Sequence, residues 1–153
     1  MSEYASYFEV RRGGWPPGEE VDAMHTVLVF DDEEDLRDIM CRMLQRKGFN
    51  AMPAAEPADA VAVCREYDGE IDVLLADLGM PDAVGVDLAR EATAIRPGLR
   101  VLYVTGLPKD AAVRQGIVDE GALVMQKPFT TDGLLSAVNE ALRAPAGSHA
   151  AAR

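Results

Sequence analysis

Thr26-Val27-Leu28-Val29-Phe30-Asp31-Asp32 is the stretch that decides the fold. Its apolar run is too short for a helix and lacks polar alternation, so it reads as a strand covered on both faces and cut off by two acids. Such a strand needs helices on either side, and the sequence supplies them. Leu36, Ile39, Met40, Met43 and Leu44 recur at steps of three and four. Glu33, Glu34 and Asp35 precede them, where a helix dipole favours acids, and Arg46-Lys47-Gly48 closes the segment. Residues 49–55 are a weaker strand candidate. Glu56-Pro57 opens a second helix with the stripe Ala60, Val61, Val63 and Cys64, which Asp68-Gly69 stops.

The alternation continues to residue 143. Residues 71–76 form a strand ending at Asp77, followed by the loop 78–85 and a helix carrying Val86, Leu88, Ala89, Ala92 and Ile95. Residues 100–104 form a strand ending at Thr105-Gly106, and a weaker helix after Pro108 carries Val113, Ile117 and Val118 up to Gly121. Residues 122–126 form the last strand, ending at Lys127-Pro128, and Thr131-Asp132 caps a helix with Leu134, Leu135, Val138, Ala141 and Leu142. Strands alternating with helices at these spacings predict an α/β fold, a doubly wound parallel sheet with right-handed crossovers. Ligands in such sheets gather outside the carboxyl ends of the strands, where strand order reverses. Asp31, Asp32, Asp77, Thr105 and Lys127 all lie at those ends and come from four strands. One aspartate there is an ordinary turn former, whereas their joint placement marks a candidate site.

Composition narrows the classes. The chain has 153 residues, 48% of them hydrophobic, and 26 acids against 15 basic residues for a net charge of −11. That supports one soluble domain, with no apolar run long enough to span a membrane. The acidic excess argues against nucleic acid, whose affinity comes from lysine and arginine displacing counterions. Residues 1–24 hold five acids against two arginines and the turn-rich Gly13-Gly14-Trp15-Pro16-Pro17-Gly18, and read as an arm or linker. Residues 25–143 form the domain and residues 144–153 a small polar tail. Cys41 and Cys64 sit in amphipathic segments without metal-type spacing, so they read as reduced core residues in a cytoplasmic protein. His25 and His149 read as solvated.

Three carboxylates brought together cannot all stay ionised without a cation. Mg²⁺ suits them, because it takes oxygen ligands and leaves positions for phosphate oxygens. An ionised aspartate can then attack phosphorus to give an acyl phosphate, with a lysine placed to pair with the phosphoryl oxygens and a threonine hydroxyl as a further donor.

The segments Val27-Leu28-Val29-Phe30-Asp31-Asp32-Glu33, Val73-Leu74-Leu75-Ala76-Asp77-Leu78-Gly79-Met80-Pro81 with Gly85, Val104-Thr105-Gly106 and Gln126-Lys127-Pro128-Phe129 resemble the receiver domain of two-component response regulators. The resemblance covers residues 25–143. It implies the flavodoxin-like (βα)5 sandwich with strand order 2-1-3-4-5, and phosphorylation of Asp77 by a histidine kinase or a histidine phosphotransfer protein. It also implies that Asp32, Asp77 and the backbone carbonyl of Gly79 bind Mg²⁺ while Asp31 acts mainly through water. Thr105 and Lys127 would contact the phosphoryl group, and the Lys127-Pro128 peptide would be cis. The donor would dock on the first helix, Asp35 to Lys47, and the last strand with its flanking helices would carry output or a homodimer surface.

Two departures from the family pattern carry expectations. The position three before the lysine, often aromatic in receivers, is Val124, which is too small and stiff to swing a ring between inside and outside. Activation is therefore expected to travel through the Thr105 loop and the helix after Pro108; Tyr103, two residues before Thr105, reads as a core strand aromatic ahead of the alternative that it takes part in the switch. Gly79 and Leu107 offer no polar side chain to orient an attacking water, so self-dephosphorylation is expected to be slow. The rival readings are a receiver-like docking module that takes no phosphate and a small phosphatase of haloacid-dehalogenase type. Chain order opposes the second, whose nucleophile lies on the first strand in an Asp-x-Asp motif. Whether the chain is a stand-alone regulator or resembles the C-terminal receiver of a hybrid kinase stays open, and no effector is expected after residue 143.

Overall fold

The computed structural model describes residues 25–79 and 84–145. The expected arm over 1–24, most of the tail, His149 and the loop residues 80–83 lie outside the described residues. Strands β1 (Thr26–Phe30), β2 (Asn50–Ala54), β3 (Val73–Asp77), β4 (Arg100–Thr105) and β5 (Leu123–Gln126) alternate with helices α1 (Glu34–Arg46), α2 (Pro57–Glu66), α3 (Val84–Ile95), α4 (Lys109–Arg114) and α5 (Thr131–Arg143). All strand pairs are parallel, in the order β2-β1-β3-β4-β5.

The strands β1 and β3 are buried throughout, as their unbroken apolar runs require. Side chains alternate between two cores. Leu28, Phe30, Leu74, Ala76, Val101 and Tyr103 meet α2, α3 and the α4 segment on one face. Val27, Val29, Val73, Leu75, Leu102 and Val104 meet α1 and α5 on the other. Both cysteines are buried and free. The edge strand β2 carries Pro53, which cannot donate to another chain.

Helix ends follow local chemistry. Gly48, at φ 93°, closes α1, with its N–H donating to Gln45 O and that of Phe49 to Leu44 O. Gly116, at φ 76°, closes α4 in the same way, through Val113 O and Ala112 O. Left-handed glycines ending helices by this pair of bonds form the Schellman arrangement. As a result α4 has six residues and stops short of Ile117 and Val118, which the apolar pattern assigns to the helix. The final helix is capped one residue earlier than expected, because Thr130 Oγ1 accepts from Gly133 N–H at 2.9 Å. The first helix is rotated relative to its expected stripe. Arg37, Met40, Cys41 and Leu44 face inward, and Ile39 is exposed. Ala144, the first residue of the expected tail, is held by Arg100 Nε, which donates to its carbonyl at 2.7 Å.

Candidate functional site

Sheet order reverses between β1 and β3, whose neighbours on the other side are β2 and β4. Phe30 pairs with Ala76, so Asp31 and Asp77 leave the sheet at the same level. Asp77 pairs with Val104 and Thr105 with Gln126, which brings Thr105 and Lys127 to the same rim. Parallel register alone therefore gathers all five expected residues, although they span nearly a hundred positions of sequence.

Carboxylate oxygens of Asp31, Asp32 and Asp77 lie within 4.8 Å of one another. Asp31 and Asp77 are buried and Asp32 is exposed. Lys127 Nζ donates to Asp77 Oδ1 at 3.2 Å and lies 3.8 Å from Asp31 Oδ2. Gly79 N–H donates to the same Asp77 oxygen at 2.8 Å, so two donors converge on Oδ1. Thr105 Oγ1 accepts from Leu107 N–H at 3.1 Å, and Thr105 O accepts from Lys127 N–H at 2.7 Å, tying the β4 and β5 ends together. The Lys127-Pro128 peptide is cis, as expected.

Asp31 has the most constrained environment of the three. Its Oδ1 accepts from Glu33 N–H at 2.9 Å, whereas Oδ2 is buried without a hydrogen-bond partner among the described residues. Burial raises its carboxyl to about 6, with the Asp77 and Asp32 charges adding to the rise and the Glu33 N–H and Lys127 opposing it. A buried anionic oxygen without a donor, in a set of three carboxylates, matches the all-oxygen coordination and charge demand of Mg²⁺. The residues present therefore fit a hard divalent ion.

A family model for the response regulator receiver domain matches residues 27–139. The chain belongs to the response regulator receiver domain family. Among curated relatives, it is 32% identical to the sensor kinase CckA of Brucella abortus (strain 2308) over 117 residues, which are 76% of this chain and 12% of that protein. It is 29% identical over 119 residues to the response regulator receiver protein CpdR of the same organism, covering 78% of this chain and 98% of CpdR. Among solved structures, a response regulator receiver protein from Sinorhizobium medicae WSM419 matches with a TM-score of 0.64 and 28% identity, covering 80% of this chain and 97% of that one. The chain is thus similar both to a small part of a large kinase and to nearly the whole of a small regulator. Neither rival reading of this receiver gains support.

Val124 is half-buried in this receiver and pairs in register with Tyr103 on β4, both packed in the same core. Tyr103 is fully enclosed, as a core aromatic, and its hydroxyl has no hydrogen-bond partner among the described residues. His25 is half-exposed, with Nδ1 3.6 Å from Asp72 Oδ2, away from the rim. Arg37 is a further residue of the site that the motifs do not mark. It is buried on α1, and its NH1 donates to the backbone oxygen of Asp31 at 2.9 Å. The signal was present, since Arg37 precedes Met40, Cys41 and Leu44 by three, four and seven residues and so falls on the inward stripe.

Proposed function

We propose that this receiver takes a phosphoryl group onto Asp77 from the phosphohistidine of a histidine kinase or a histidine phosphotransfer protein, in a Mg²⁺-dependent reaction that switches its conformation. The convergence of three carboxylates with Lys127 at the reversal point of the sheet carries this reading. An Asp77 carboxylate oxygen attacks phosphorus, a P–O bond forms, and the P–N bond to the donor imidazole breaks with its electron pair returning to nitrogen. Lys127 offsets the charge on the phosphoryl oxygens, and the Thr105 hydroxyl turns toward one of them. Asp31, Asp32, Asp77 and the Gly79 carbonyl would hold the ion, Asp31 mainly through water. When bound, Mg²⁺ would offset part of the charge of the carboxylates and of the incoming phosphoryl group, so that Asp77 can react while ionised. The domain behind this activity is residues 25–143.

Incubation with acetyl phosphate and Mg²⁺ followed by intact-mass measurement tests the reading. The parent protein gains one phosphoryl mass, and Asp77→Asn gains none. Equal labelling of the two, or none of the parent, would overturn it.

A further inference from the structure

Arg37 stands out among the buried polar side chains of the described residues, the others being Thr26, Asp31, Asn50, Asp77 and Thr105. It is 5% exposed, and a guanidinium is placed there only against a strong pull toward water. Its place on the helix explains its reach. Side chains on a helix lean toward its N-terminus, and Arg37 sits one turn into α1, so its head group returns to the end of β1. There NH1 donates to Asp31 O at 2.9 Å. The bond goes to the main chain, so the guanidinium holds the peptide that joins the two acids.

Three other bonds fix the same short segment. Asp31 N–H donates to Ala54 O at 3.3 Å, Asp31 Oδ1 accepts from Glu33 N–H at 2.9 Å, and Glu33 O accepts from Arg37 N–H at 2.9 Å. Asp31 is thereby held at its N–H, its carbonyl and one carboxylate oxygen. The remaining oxygen, Oδ2, is the one left without a donor, on the side where Lys127 lies. The orientation of the Asp31-Asp32 peptide sets where the next carboxylate, that of Asp32, leaves the chain.

We infer that Arg37 is a positioning residue for the cation site, acting through the Asp31 carbonyl to hold Asp31 and Asp32 in their binding arrangement. This rests on the Mg²⁺ reading given above. A charge-assisted bond to a buried carbonyl is stronger than a neutral one, and losing the donor leaves that carbonyl unsatisfied. A peptide free to turn would then have to be ordered when the ion binds, and the lost preorganisation appears as weaker affinity.

Mg²⁺ titration by calorimetry of the parent, Arg37→Met and Arg37→Lys tests this, with acetyl phosphate labelling rates alongside. Arg37→Met keeps bulk without a donor and is expected to raise the Mg²⁺ dissociation constant about tenfold. Its labelling rate at saturating Mg²⁺ is expected to stay within about twofold of the parent, because the attacking and charge-offsetting groups are untouched. Arg37→Lys, which keeps a cationic donor, should fall between them, and it carries the test alone if Arg37→Met does not fold. A folded variant with unchanged Mg²⁺ affinity would reduce Arg37 to a packing residue and overturn the inference. Tighter binding would overturn it as well, by showing that the charge opposes the ion. A parent that binds no Mg²⁺ overturns the underlying reading itself.

Discussion

Asp31 is fully buried, and burial raises its carboxyl from 3.8 to about 6, which ties the stability of the metal-free protein to pH. The folded state binds the proton more tightly than the unfolded chain does. The charged form therefore costs nothing extra below about pH 4, and its full cost applies above about pH 6. Asp31→Asn, which keeps the shape and removes the charge, should stabilise the metal-free protein by about 2–3 kcal/mol near pH 7.5 and by little near pH 4. Urea unfolding at the two pH values checks this, and equal effects at both would refute it. Two glycines bear on Asp77. A Cβ at Gly85 would collide with the Asp77 backbone oxygen, so Gly85→Ala should cost about 1–3 kcal/mol in the same assay and disturb the β3 end. A Cβ at Gly79 would lie 3.0 Å from Asp77 Oδ1, so a side chain there sits directly against the Asp77 carboxylate. Gly79→Asn should shed its phosphoryl group faster than the parent, followed by loss of phosphoryl mass with time; an unchanged lifetime would count against water positioning as the limit.

The helix α4 and the loop before it are the elements best suited to move. Thr105 and Leu107 are joined by a single side-chain bond, 3.1 Å long, and α4 begins two residues later with only six residues of its own. A Thr105 hydroxyl that turns to a phosphoryl oxygen gives up that bond and releases the loop. On labelling with acetyl phosphate, amide exchange should rise at Leu107 and through α4, while Val124 and Tyr103 keep their rotamers by side-chain NMR. Rearrangement of both side chains would refute this route. The helix periodicity was legible as to existence and less so as to facing. Ile39 is expected inside because hydropathy ranks isoleucine as core, and the same ranking leaves Arg37 out of the expected stripe. In the fold Ile39 is exposed and Arg37 buried, since the β1 end offers a carbonyl within reach of a long donor on α1.

Across the whole molecule, a cation held at the acidic rim would couple binding to folding. Three carboxylates are closely spaced only in the native sheet, so Mg²⁺ should raise the unfolding midpoint, with about 2.7 kcal/mol of added stability at a hundredfold excess over its dissociation constant. Thermal melts with and without Mg²⁺ check this, and Asp31→Asn should lose most of the increment. The acidic excess noted in the composition is in part this site. The sequence by itself determined the order of elements, because unbroken apolar runs and three-and-four periodicity depend on near neighbours, and it determined the identities of the five rim residues, because each ends a strand. Tertiary structure alone decided what each oxygen experiences. That Asp31 Oδ2 is buried without a donor among the described residues and that Lys127 Nζ joins the Gly79 N–H on Asp77 Oδ1 depend on contacts between segments far apart in the chain, which no local pattern encodes; Arg37's inward facing is legible in its spacing, but the carbonyl it meets is set by how α1 packs on the end of β1.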